Sequence, residues 1–301
     1  MRMSTRPDPE TRRAYAQCTR QARAHYENFP VASRLLPAHM RGPVAAIYVF
    51  ARRADDLADE GRLAAGQRLN ELDALERRLH AAADGDPGDD AGFVALAHAI
   101  RVHRLPVSLF LDLLDAFRQD VTRTRYQDFG DVMQYCRRSA NPVGRLLLHV
   151  AGHTDARSLA WSDAICSALQ LINFYQDLSQ DFHEMGRIYL PMDEMARFGV
   201  TEAHIQQGIS DPPMQALMRF QYARADRLLR SGAPLGSALG GRFGLEIRLI
   251  TVAGARVLWR LKCQQADVFS RPRLRLRDYA AILRGALFPA GTAAMASETP
   301  P

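Results

Sequence analysis

The stretch "ICSALQLINFYQDLSQD", Ile165–Asp181, decides how the chain is read. In steps of four its ridge runs Ile165, Leu169, Asn173, Asp177, Asp181, apolar at first and acidic at the end. Read as a helix, these residues stack on one face. Like charges four apart cost a helix roughly 0.2–0.5 kcal/mol per pair, and exposed acids in a last turn oppose the helix dipole by roughly 0.3–1 kcal/mol each. Local stability alone therefore gives no reason for them.

The pattern occurs twice. In "VAAIYVFARRADDLADEG" (44–61), Ile47, Ala51, Asp55 and Asp59 share a ridge, and Gly61 makes a natural stop. One such ridge reads as a solvated acidic face. Two matched ridges growing out of apolar faces read better as oxygen ligands for a hard divalent cation, which removes both the repulsion and the dipole penalty. Magnesium is the first choice, because it accepts a few carboxylates, keeps waters and bridges to phosphate oxygens. Basic partners stand nearby: Arg52 and Arg53 precede the first acids, and "MGRIYLP" (185–191) supplies Arg187 and Tyr189 after the second. Arginine offers a planar fork of donors to phosphate. Arg53 reads more simply as a surface ion pair, Arg52 and Arg187 as site residues.

The rest of the chain is helical in period. "RLNELDALERRLHAAA", "SLFLDLLDAFRQDV" and "MQALMRFQYARADRLLRS" repeat apolar residues three and four apart, and alternating strand patterns are scarce. Turn-rich breaks fall at 84–92, 208–213 and 232–244. These features predict one all-α domain of about ten helices over residues 1–290, with 291–301 a disordered tail. A chain of 301 residues with 47% hydrophobic and 24% charged composition is long enough to bury a large core. It has no membrane-length apolar run and no secretory-type apolar block at its start, so a cytoplasmic protein is expected.

Cys18, Cys136, Cys166 and Cys263 form no CxxC pair and read as reduced packing residues. The net charge of +6, largely from arginine, suits phosphorylated ligands, nucleic acid or an anionic membrane surface without choosing among them. His149 and His153 lie four apart in "HVAGH", but no HExxH glutamate accompanies them, so packed or surface histidines are expected rather than zinc ligands.

Taken together, "RRADDLADE", "YCRRSANPVG" and "NFYQDLSQDFHEMGRIYLP" resemble the squalene and phytoene synthase family of head-to-head prenyl synthases, in order and separation over roughly residues 15 to 285. The resemblance implies a single-domain isoprenoid synthase fold, with helices around a central cavity and two facing aspartate motifs. It implies that several magnesium ions are held by Asp55, Asp59, Asn173, Asp177 and Asp181, and that Arg52, Arg187 and Tyr189 touch a diphosphate. Tyr135 falls where the family has a tyrosine associated with proton transfer, and equally reads as a packed core tyrosine. Tyr48 and Val143 join the expected substrate-binding set, and Val143, Leu146, Leu147, Leu169 and Ile172 are wall or core positions.

Departures from the family pattern sharpen the expectation. Where members that join two prenyl diphosphates carry a serine-rich stretch, this chain reads "HYENFPVAS", with Tyr26, Glu27 and Asn28 in those places; Gln176 replaces a common arginine, and Leu258 stands in the place of a tyrosine often found in the late helix. Loss of donors for one of two diphosphates suggests an enzyme that handles only one. The similarity is greatest to the bacterial hydroxysqualene synthase branch of hopanoid biosynthesis, which implies presqualene diphosphate and water as substrates, hydroxysqualene and diphosphate as products, no NADPH, and functional coupling to a presqualene diphosphate synthase.

Squalene, presqualene diphosphate and phytoene synthases are the rival enzymes. A nonenzymatic basic helical binding protein is the rival of another class, though it leaves the acids unexplained, and nucleic acid is not an expected partner. A peripheral contact at the inner membrane face through "RPRLRLRDYAAILRGALF" (271–288) stands beside the plainer reading of a solvated basic helix end.

Overall fold

The computed structural model describes residues 7–24, 35–59, 63–264 and 266–288. The stretch "HYENFPVAS", Gly61 and the expected tail lie outside the described residues. Among the described residues there are fifteen helices. In order they are α1 (Pro9–Ala24), α2 (Ala38–Asp59), α3 (Ala65–Ala83), α4 (Ala91–His103), α5 (Val107–Thr122), α6 (Phe129–Ser139), α7 (Asn141–Ala151) and α8 (Ala156–Gln176). There follow α9 (Leu178–Met185), α10 (Met192–Phe198), α11 (Glu202–Gln207), α12 (Pro212–Gly232), α13 (Pro234–Leu239), α14 (Gly241–Cys263) and α15 (Leu276–Leu287). The all-α expectation holds, while the expected ten helices fall short. The excess is short elements such as α10, α11 and α13, which span too few turns to show a period.

The turn-rich breaks have identifiable outcomes. Asp90 caps α4 by accepting from the Gly92 and Phe93 amides at 2.8 and 3.4 Å. Asp211 caps α12 through the Met214 amide at 3.0 Å, with Pro212 at the first helical position. The stretch 232–244, read as one break, instead contains α13 and the start of α14. Pro234 suits a helix start, and Gly240 and Gly241, with φ of 62° and 52°, supply the turn that a side chain would strain.

Two compact units compose the chain: Met1–Thr122 with Arg138–Leu159, and Arg123–Arg137 with Ala160–Pro301. In the first, α2 packs against α1, α3, α4, α5 and α7. Phe50 of α2 meets Phe93 and Phe110 edge-on, with centroids 6.3 and 5.4 Å apart, so three helices share one aromatic core. In the second, α14 packs against α12, α13 and α15. A Cβ at Gly232 of α12 would lie 2.5 Å from the Trp161 carbonyl oxygen of α8, a backbone atom that cannot swing aside, so only glycine lets α12 approach α8 this closely.

Cys18 and Cys136 are buried, and burial raises their thiols to about 11 and about 12, as expected of packing residues. Cys263 is exposed and departs from that expectation, because it closes α14 where the helix meets solvent.

Candidate functional site

The acidic ridge of the second unit is carried by two helices rather than one. α8 ends at Gln176, Asp177 takes φ −103° and ψ 10°, and α9 begins at Leu178. The i to i−4 spacing nevertheless runs through the break: the Asp177 amide donates to the Asn173 carbonyl at 2.9 Å, and the Asp181 amide donates to the Asp177 carbonyl at 2.7 Å. Asn173, Asp177 and Asp181 therefore remain one helical turn apart. The break changes the dipole argument, since Asp177 now stands at the N-cap position of α9, without a side-chain capping bond, and Asp181 sits in its first turn, the end that favours negative charge. The penalty expected for acids at a helix C-terminus is thus avoided by ending the helix before them.

The repulsion between the two acids remains. Burial, then the charge of Asp177, pushes the Asp181 carboxyl up to about 7, with Arg187 opposing. Burial also raises Asp177, against the pull of Arg271. Asp177 is 8% exposed. Its partner comes from far along the chain: Arg271 Nε lies 2.7 Å from Oδ1, and Arg271 Nη2 donates to Oδ2 at 3.3 Å. Gln176 Nε2 donates to the Pro272 carbonyl at 3.5 Å, so the segment carrying Arg271 is held beside the α8–α9 break at two points. No signal in the sequence marks Arg271, which is one arginine in a basic run.

This donor set fits magnesium. It is made of oxygens, Asp177 is buried while Asn173 and Asp181 are half-buried, and a guanidinium stands against the deepest carboxylate where a cation is wanted. Among the described residues no three acidic, histidine or cysteine side chains form a ready-made metal cage. Magnesium is bound by one or two carboxylates together with waters and substrate phosphates, so it needs no such cage.

The segment after α9 is positioned by its backbone. Gly186, at φ 65°, caps α9, and the following Arg187 amide donates to the Asp181 carbonyl at 3.0 Å, turning the chain back along the helix. The segment then runs beside residues 124–127. The Ile188 amide donates to Thr124 at 3.0 Å, the Met192 amide to Tyr126 at 2.9 Å and the Asp193 amide to Gln127 at 3.0 Å. Arg187 is consequently buried at 5% exposure. Tyr189 stacks on Phe174 with centroids 3.7 Å apart and an angle of 6°.

Tyr135 lies 5.5 Å from Tyr189 and 5.9 Å from Phe174, and Tyr126 stacks on Tyr189 at 5.4 Å. The structure thus brings Tyr135 and Tyr189 together in an aromatic cluster whose Phe174 follows Asn173 directly. Tyr126 and Phe174 were absent from the expected site. A single aromatic residue in a helix or loop carries no sequence signal of which others it will meet.

Behind this cluster Glu194 accepts from Gln221 Nε2 at 2.6 Å and from Arg224 Nη1 and Nη2 at 3.0 and 2.5 Å. Tyr175 donates to Gln221 Oε1 at 3.1 Å. This network joins α8, α10 and α12, and so fixes both ends of the segment that carries Arg187 and Tyr189.

The first unit holds the other acidic motif. Arg52 Nε lies 2.7 Å from Asp56 Oδ1 and Arg52 Nη1 lies 3.3 Å from Asp55 Oδ2, so this arginine rests among the acids of its own helix. Asp59 is the last residue of α2. Arg53 bonds Asp90 at 2.9 Å, alongside Arg78 at 3.0 Å, which is the structural ion pair expected of it. Tyr48 is half-buried and packs against the small-residue cluster of Ala14, Cys18 and Ala45. Val143 of α7 is exposed at 38%. Of the expected wall positions, Leu146 and Ile172 are core residues at 0% and 3% exposure, whereas Leu147 and Leu169 keep some accessible surface. His149 is half-buried, and burial lowers its pKa.

Comparison with known proteins gives the chain its family and its fold. Residues 22–280 match the model of the squalene/phytoene synthase family. The hydroxysqualene synthase of Rhodopseudomonas palustris is 37% identical over 233 residues, 77% of this chain and 78% of that protein. The phytoene synthase of Mycobacterium tuberculosis is 34% identical over 262 residues, 82% of this chain and 85% of that protein. Among solved structures, the squalene synthase HpnC from Alicyclobacillus acidocaldarius superposes with a TM-score of 0.81 at 34% identity, covering 87% of this chain and 98% of that one. A dehydrosqualene synthase, at 23% identity and a TM-score of 0.83 over 94% of this chain and 98% of that one, shares the fold. The all-helical architecture is the isoprenoid synthase fold, and the chain belongs to the squalene/phytoene synthase family.

Proposed function

We propose that this protein is a hydroxysqualene synthase that converts presqualene diphosphate and water into hydroxysqualene and diphosphate. The observation that carries the reading is the close acid pair at the α8–α9 break, Asp177 buried and Asp181 half-buried, with Arg187 turned back along α9 and the Tyr189 cluster after it. Relatives named hydroxysqualene synthase in Rhodopseudomonas palustris, Sinorhizobium fredii and Zymomonas mobilis, at 37%, 35% and 36% identity, support the choice within the family.

In each unit the acids would hold magnesium, Asn173, Asp177 and Asp181 in one and Asp55 and Asp59 in the other, and the metal would supply positive charge to a departing diphosphate. The chain's own groups do the rest. Arg187 donates hydrogen bonds to phosphate oxygens as the carbon–oxygen bond breaks and its electron pair leaves with the diphosphate. Arg52 of α2 would offer donors of the same kind to a phosphate. Tyr189 adds a hydroxyl donor, and the faces of the aromatic cluster stabilise the carbocation while it rearranges. Water then forms the new carbon–oxygen bond, and its proton passes to diphosphate or solvent. Tyr135 is assigned to that proton's path. Ionisation and water capture leave the carbon skeleton at the same oxidation level, so no NADPH is required. The substrate itself must come from an enzyme that joins two prenyl diphosphates.

The phytoene synthases among the relatives favour a second reading, condensation of two prenyl diphosphates. Mass-spectrometric product analysis separates the two. Purified protein receives presqualene diphosphate and magnesium in one tube and farnesyl diphosphate and magnesium in another, without NADPH. Hydroxysqualene in the first and no condensation in the second is the expected result; condensation in the second would overturn the assignment in favour of the rival.

A further inference from the structure

α15 carries its large side chains outward. Leu276, Tyr279, Leu283 and Leu287 are 88, 56, 52 and 49% exposed, and Phe288 follows at 67%. Spaced by three and four, the four helical positions form one stripe. The opposite face is buried and carries one large apolar side chain: Asp278, Ile282, Gly285 and Ala286. Its anchor is ionic, with Arg256 Nε and Arg260 Nε donating to the Asp278 carboxylate at 2.6 and 2.8 Å. A helix serving only the core would turn its leucines inward. Of the nine large hydrophobic side chains exposed among the described residues, five belong to this one stretch, so the pattern is not ordinary scatter.

The charges around the stripe have one sign. Arg273, Arg275, Arg277 and Arg284 are exposed, and the only acid between residues 271 and 288 is the buried, paired Asp278. We propose that this face docks on an anionic lipid bilayer, with α15 lying in the interface plane, its leucines among the acyl chains and its arginines at the headgroups. Two other occupants fit less well. A second copy would bring like charges together. Residues 289–301, "PAGTAAMASETPP", offer Met295 as their only large apolar side chain against a stripe of four. The inference is independent of which prenyl substrate the protein uses.

Vesicle flotation of the full chain tests it, using phosphatidylcholine alone and phosphatidylcholine mixed with phosphatidylglycerol. The expected result is binding to the anionic vesicles, falling with added salt. The triple change Arg273→Gln, Arg277→Gln, Arg284→Gln should weaken it roughly a hundredfold, since each basic residue near such a surface contributes about 1 kcal/mol. The triple change Leu276→Ser, Leu283→Ser, Leu287→Ser should abolish it while circular dichroism and the melting temperature stay unchanged. Equal binding to both vesicle types, or binding that survives both sets of changes, would overturn the proposal. So would no binding at all, and a concentration-dependent dimer removed by the leucine changes would then assign the face to a second copy.

Discussion

Arg271 Nε lies 2.7 Å from Asp177 Oδ1, an ion pair between residues 94 positions apart in the chain. The arginine is half exposed, so the pair adds little to stability, about 1 kcal/mol at most. Under the proposed function it stands where a magnesium ion would. Arg271→Gln is expected to leave the melting temperature nearly unchanged in the absence of metal and to tighten magnesium binding a few-fold, read by calorimetric titration. Weaker magnesium binding in this variant would mean that Arg271 assists the ion rather than competing with it.

Asp177→Asn tests the ligand itself. The change removes a charge with little change in volume, and the backbone bonds to Asn173 and Asp181 remain, so the fold should persist. Turnover at limiting magnesium should fall about a hundredfold or more, because a ligand to an ion supplying several kcal/mol of charge stabilisation is lost. Full activity at limiting magnesium would remove Asp177 from the ligand set. Chelation of divalent ions should abolish wild-type turnover reversibly.

Gly186 connects backbone conformation to Arg187. Its φ of 65° costs an ordinary side chain roughly 1–2 kcal/mol. Gly186→Ala should therefore lower stability by about 1 kcal/mol in a urea titration and lower turnover beyond what that loss explains, because Arg187 is aimed by this turn. Gly186→Asn, which tolerates the left-handed region better, should recover part of both.

Tyr189 separates packing from chemistry. Tyr189→Phe keeps the ring that stacks on Phe174 at 3.7 Å and removes only the hydroxyl. It should fold with near-normal stability and raise KM for the diphosphate substrate. Tyr189→Ala opens a cavity in the cluster and should cost about 3–5 kcal/mol by chemical denaturation. Equal kinetics for wild type and Tyr189→Phe would confine Tyr189 to packing.

Asp278 makes stability depend on pH. Burial by itself raises a carboxyl pKa, but here the Arg275 amide and the Arg256 and Arg260 guanidinium groups outweigh it and hold Asp278 below its ordinary 3.8. A carboxyl depressed in the folded state binds fewer protons there than in the unfolded chain, so its stabilisation is complete above the unfolded value and is lost as pH falls through the folded one. Asp278→Asn should cost about 3 kcal/mol at neutral pH. The gap to wild type, followed by urea titration across pH, should close as the solution is taken below pH about 4.

The sequence by itself determined the helical class, the family and the two acidic ridges. Each of these is written in residue types at a fixed spacing along one segment: Ile165, Leu169, Asn173, Asp177 and Asp181 repeat every four residues whatever they later touch. The same locality placed Arg53 in a surface ion pair, although not with Asp90. Tertiary structure alone decided that the second ridge breaks at Asp177, which moves the acids from a C-terminus to an N-terminus. It alone supplied Arg271 as counter-ion, joined Tyr126, Phe174 and Tyr189 into one cluster, and turned the leucines of α15 outward. These depend on contacts between distant segments, and a helical period records which residues share a face without recording what that face will meet.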